Sequence, residues 1–133
     1  MNTKISITKA LVTGAIAGGV SMAINAILFF IFRGSDVITD TIEVEPGKPM
    51  TVVLVMISSM LPSLIGTVIY FFFDKYSTRG FRNFSILAII LMLVTFANPF
   101  IIPNVTIPYV IALNIMHVVV AVSLLYFLNK TRK

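Results

Sequence analysis

The sequence predicts an all-α integral membrane protein, a four-helix bundle running up-down-up-down with both termini cytoplasmic. Three observations predict it. Uncharged runs extend over 10–32, 49–73 and 83–129. A spanning helix needs roughly 20 apolar residues, so the first two runs hold one span each and the third holds two. Charged residues make up 11% of the 133, hydrophobic ones 58%, and the mean hydropathy is +1.02. Soluble domains carry about 25% charged residues, so this chain lacks the charge to cover a globular surface. The bases also divide unevenly. Lys4, Lys9, Lys75, Arg79, Arg82, Lys130, Arg132 and Lys133 fall on one side of the alternating spans, and Arg33 and Lys48 on the other. The richer side is the cytoplasmic one.

The chain 1–133 therefore reads as one domain with spans at 8–32, 50–73, 83–102 and 108–129. Lys4 and Lys9 precede the first span as they would in a signal peptide, but the apolar run is longer than a cleavable core of roughly 7–15 residues. It reads as a retained helix. One face of it carries Ala10, Gly14, Gly18, Ser21 and Asn25, including a Gly-x-x-x-Gly pair. Small residues let helices approach closely in lipid, where dispersion packing replaces the hydrophobic effect. That face suits packing within the chain or a homodimer seam.

The acidic outer loop over 33–49 holds four of the five acids: Asp36, Asp40, Glu43 and Glu45. Alternation over 41–45 and the Pro46-Gly47 pair predict a short strand and a turn, a flap over the outer mouth of the bundle. The second span places Ser59, Ser63, Gly66 and Tyr70 on one face, and Pro62 near its middle predicts a kink beside Ser58 and Ser59. A basic turn, 74–82, leads into the third span. Pro99, Pro103 and Pro108 make the last connector irregular, so it must lie at the interface or against protein. Tyr70, Tyr76 and Tyr126 near the inner face and Tyr109 near the outer suggest an aromatic belt.

At about 1.5 Å per helical residue, Asn25 and Asn114 lie roughly 10 Å below the outer ends and Ser58, Ser59 and His117 slightly deeper. Asn98 lies shallower. Each span thus offers a polar group to one layer, with Asn114 and His117 sharing a face at i and i+3. His117 is the one side chain in the spans that titrates near neutral pH, and such residues are rare in hydrocarbon. The expectation is that it faces the bundle interior. The layer reads either as interhelical glue or as a small outward-facing polar cavity that binds a ligand or passes a solute.

Several chemistries are excluded. Without cysteine there are no disulfides or thiolate sites, and one histidine cannot supply the three or four ligands of a metal centre. No cofactor is implied. A Ser–His pair would draw on Ser58, Ser59 or Ser63, but these lack the Gly-flanked nucleophile pattern. The net charge of +5 follows from the cytoplasmic bases rather than from a nucleic-acid partner. The expected partners are membrane lipid and either a second copy or another membrane protein.

The Asn25 span, the basic turn before Phe84, Asn98-Pro99 and the segment 114–119, with its Met116-His117 pair, resemble a family of small bacterial four-helix membrane proteins of unknown function. The resemblance implies the fold and a bacterial cytoplasmic (inner) membrane, and it brings no activity with it. The functional expectation is a non-catalytic binding, scaffold or complex-subunit protein. The alternative is a small transporter or channel component using the polar layer. A membrane enzyme is the third reading.

Overall fold

The computed structural model describes residues 4–45 and 47–131. Four α-helices dominate it: α1 (Ile7–Gly34), α2 (Val52–Tyr76), α3 (Gly80–Thr95) and α4 (Ile107–Thr131). All four, counting the turn that extends α3 to Ile101, are long and apolar enough to cross a membrane. Local chemistry sets their ends. Ser6 Oγ accepts from the Lys9 amide and Thr51 Oγ1 from the Leu54 amide, each satisfying one of the donors a helix start leaves free. Pro108 sits in the first turn of α4, where its missing N–H costs nothing. α2 continues through Pro62 without a break.

The third span, expected over 83–102, is helical in two parts and begins at Gly80. Its α-helix ends at Thr95, and a tight 3₁₀ turn, Asn98–Ile101, completes it. Pro99 is the cause. It has no N–H to offer the carbonyl four residues back, and it restricts the backbone of Asn98.

Packing centres on α1, whose most extensive neighbour is α2, followed by α4; of the other long helices, α3 touches α2 and α4 but not α1 among the described residues. The small-residue face is buried within the chain, as the first of the two packing alternatives requires. A Cβ at Gly14 would stand 2.5 Å from Thr67 Oγ1 and 3.1 Å from the Ser63 carbonyl, and one at Gly18 2.5 Å from Met60 Sδ. Gly66 leaves equal room for α4, since a Cβ there would meet Leu124 Cδ2 at 2.7 Å. Ala10, Ser21 and Asn25 complete the buried stripe on α1, and Ser59, Ser63 and Tyr70 that on α2. Contacts step backward along α2 as they step forward along α1: Lys4 Nζ donates to the Asp74 carbonyl, Gly14 faces Thr67 and Gly18 faces Met60. The Ile5 amide also donates to Asp74 Oδ2 at 2.6 Å, which anchors the start of α1 to the end of α2.

Two apolar clusters fill the bundle. At the end carrying the 77–79 turn, Ala10, Ala17, Tyr70, Phe84, Leu124 and Leu128 pack together, with the Tyr70 and Phe84 rings edge-on at 5.5 Å. At the end carrying the 33–51 loop, Phe29, Val55, Tyr109, Leu113 and Met116 are joined by three loop residues, Ile38, Ile42 and Met50. The acidic loop is thus a lid whose apolar side chains plug the bundle. Arg33 holds its outside through two hydrogen bonds to Asp40, at 2.8 and 2.9 Å. β1 (Glu43–Glu45) pairs antiparallel with β2 (Lys48–Pro49), matching the extended segment expected there. Gly47 turns the chain at φ +75°, a conformation glycine adopts without strain. Pro46, the other half of the expected turn, lies outside the described residues, as do Arg132 and Lys133.

The aromatic belt is corrected in part. Tyr76 and Tyr126 are exposed, but Tyr70 and Tyr109 are core residues. Each falls on the buried stripe of its helix, so helical phase overrides position along the span.

Candidate functional site

The polar groups of the spans divide into an interior set and a surface set. Inside, Asn25 is 2% exposed, and its Nδ2 donates to Ser59 Oγ at 2.9 Å and to the Met116 carbonyl at 3.3 Å. Ser59 Oγ itself donates to the Val55 carbonyl, so it meets Asn25 with a lone pair. Both partners of the amide are acceptors, which fixes the nitrogen toward them. Asn25 Oδ1 is left buried without a hydrogen-bond partner among the described residues. One side chain thereby ties α1 to both α2 and α4.

Most other interior hydroxyls are satisfied close to home, whereas Ser85 Oγ is buried without a partner among the described residues. Ser21 donates to the Ala17 carbonyl, Ser63 to that of Ser59, Thr67 to that of Leu64 and Thr13 to that of Lys9. Such bonds hide a polar group from hydrocarbon without needing a second helix. The Tyr109 hydroxyl, beneath the lid, is buried with no partner among the described residues.

The single polar layer expected from the sequence does not form. Asn25 and Ser59 meet, but Ser58 is exposed on α2, Asn98 is exposed at the 3₁₀ turn, and Asn114 is half-buried against α3. His117 is exposed on the surface of α4, which corrects the expectation that it faces inward. The reason is helical phase. Tyr109, Ala112, Leu113, Met116, Ser123, Leu124 and Leu128 form the buried stripe of α4, so Met116 takes the interior place beside Asn25. Ser59 excludes Ser58 in the same way.

The His117 ring is not free of contacts. Its Nδ1 lies 2.7 Å from the Leu113 carbonyl, which can only accept, so Nδ1 carries the proton and donates. With the proton on Nδ1 alone, Nε2 presents an acceptor lone pair. His117 is ten residues from Ile107, about 15 Å along α4 and near its middle. The surrounding surface is apolar, with Ile111, Ile115, Val118 and Val122 exposed.

One turn earlier on α4, Asn114 Nδ2 reaches the Phe96 carbonyl at 3.5 Å, and its Oδ1 is buried without a partner among the described residues. Asn114 lies in the wall of a groove of about 320 Å³ between the end of α3 and α4. Phe96, Ile111, Ile115, Val118 and Val119 make up the rest of that wall. No group of three or more His, Asp or Glu side chains converges among the described residues.

Four long apolar helices and an apolar exterior together define a multi-pass membrane protein. The chain belongs to a family of unknown function, DUF6069, whose model matches residues 6–133. No curated protein and no solved structure matches it.

Proposed function

We propose that the chain is a non-catalytic subunit of a membrane assembly, working through its lipid-facing surface rather than through an interior path. The observation that carries this reading is the exposure of His117 near the middle of α4. A polar ring with an unmet acceptor is costly in hydrocarbon, and polar side chains placed between transmembrane helices act as association points. A partner helix offering a hydroxyl or amide donor to Nε2 would remove the cost. The interior supports the same reading, because Ser59, Ser63, Thr67 and the Asn25 amide nitrogen are committed to bonds within the bundle.

In this reading the bundle runs up-down-up-down in a bacterial cytoplasmic membrane. Its termini and the 77–79 turn face the cytoplasm, and the acidic lid faces out. The backward-stepping contacts of α1 and α2 and the division of the bases support that orientation. A photoreactive residue at Ala121, one turn beyond His117, tests the proposal in intact cells. It should give a discrete protein adduct, and one at Ile27, on the exposed face of α1, should not. Lipid adducts alone at both positions would refute it.

A further inference from the structure

Among the described residues, the middle of the helices carries two exposed polar side chains, Ser58 on α2 and His117 on α4. We infer that the partner of His117 is a second copy of this chain, whose Ser58 hydroxyl donates to Nε2 of the ring. This contact presupposes the subunit reading and gives the partner its identity. The two groups match chemically. Nε2 offers a lone pair, because Nδ1 directs the proton to the Leu113 carbonyl. Ser58 offers a hydroxyl. Ser59 and Ser63 return theirs to the carbonyl four residues back, at 2.9 and 3.1 Å, and Ser58 makes no such bond among the described residues.

Depth decides between partners. Asn25 Nδ2 touches both Ser59 Oγ and the Met116 carbonyl, at 2.9 and 3.3 Å, so Ser59 and Met116 are level in the bundle. Ser58 and His117 are their immediate neighbours, each displaced by about 1.5 Å along its own helix. Any two copies inserted the same way round therefore bring donor and acceptor to one depth. Acyl chains offer Nε2 no proton there, and an unrelated protein would need a donor at the same level by coincidence. One bond between copies relieves two polar groups that otherwise face hydrocarbon. Ala121, one turn beyond His117, is small, and small residues let helices approach closely in a membrane.

The chain has no cysteine, so introduced cysteines report contacts without background. Leu61 and Ala121 lie one turn inward of Ser58 and His117 on the same helix faces. Two full-length copies with different affinity tags, one carrying Leu61→Cys and the other Ala121→Cys, are co-expressed and oxidised with iodine in native membranes. A disulfide-linked dimer bearing both tags should form. Ser58→Ala in the first copy should lower its yield about threefold, the worth of one average interhelical hydrogen bond. Ser58→Thr, which keeps the hydroxyl, should restore it. No doubly tagged dimer, while a membrane-permeant maleimide still labels both cysteines, would overturn the proposal. So would a yield that Ser58→Ala leaves unchanged. The Ala121 photoadduct separates this contact from the reading it presupposes. An adduct of twice the chain's mass supports both, and one with a protein of another mass keeps the subunit reading and overturns the self-pairing. Lipid adducts alone overturn both.

Discussion

Asn25 and Ser59 meet inside the bundle at 2.9 Å, and the meeting has a direction: the amide donates and the hydroxyl, itself bonded to the Val55 carbonyl, accepts. This joins α1 to α2 at a depth where no water substitutes for a lost partner. Interhelical hydrogen bonds in membranes average about 0.6 kcal/mol, and bonds to buried groups reach about 1.5. A double-mutant cycle of Asn25→Ala and Ser59→Ala, read by unfolding in mixed micelles, should give a coupling of roughly 0.5–1.5 kcal/mol. Strict additivity would show that the pair is in contact but contributes nothing.

The glycines of α1 should rank by what stands opposite them. Gly14 faces the β-branched Thr67 and the Ser63 backbone, neither of which yields easily, whereas Gly18 faces the flexible end of Met60. Gly19 has nothing within 4 Å. Thermal stability in detergent should fall most for Gly14→Ala, by roughly 1–3 kcal/mol as overpacking does. Gly18→Ala should cost less, and Gly19→Ala nothing or a slight gain in stability. Equal effects at 14 and 19 would contradict the packing of α1 on α2.

The lid depends on its apolar plug. Ile38 is 1% exposed and packs in one cluster with Phe29 and Tyr109. Ile38→Ala should destabilise the lid end by about 2–4 kcal/mol, as truncations of buried isoleucine do. Limited proteolysis should then cut within 33–51 while the helices stay intact. An unchanged cleavage rate would mean the lid is held by something other than its plug.

The outer side of the lid should respond to pH. The Arg33 hydrogen bonds hold the Asp40 carboxyl below its usual range, against a smaller opposing effect of desolvation, and the charge of Arg33 adds to the lowering. A group with a depressed folded pKa stabilises above its unfolded pKa and loses that contribution as pH falls through the folded one. Lid proteolysis by an acid-active protease should therefore be flat from neutral pH down to the ordinary carboxylate range and rise below it. Asp40→Asn should remove the rise by making cleavage uniformly faster. The pair is exposed, so its effect should be modest and should shrink with salt.

Much of this was legible in the residues. The stripe Ala10, Gly14, Gly18, Ser21, Asn25 and the stripe Ser59, Ser63, Gly66, Tyr70 are buried as their spacing implies, because small and hydroxyl residues stand out against leucine and isoleucine. α4 offered no such contrast. It is apolar on nearly every side, and of its few polar residues Ser123 lies on the buried stripe whereas His117 does not, so the assumption that polar means inward pointed the wrong way for His117. The bond from Nδ1 to Leu113, within the same helix, is what lets the ring stand on the surface, and spacing does not reveal it. Ser58 and Ser59 raise the same problem, since adjacent residues lie about 100° apart on a helix of 3.6 residues per turn and only one can face the core. In the lid, Ile38 and Ile42 were visible as large apolar residues four apart in an acidic loop, a signal that side chains there turn inward.

The most direct test of the surface reading is the substitution His117→Leu, followed by native-size measurement after mild solubilisation and thermal denaturation of the purified chain. The ring occupies no place in the core, so the variant should melt within about 0.5 kcal/mol of wild type, as surface substitutions do. At the same time the assembly should shrink to the size of the chain alone. A variant that keeps its assembly intact while losing stability as Ser59→Ala does would contradict the account, because it would make His117 a structural residue and leave the surface of α4 to lipid.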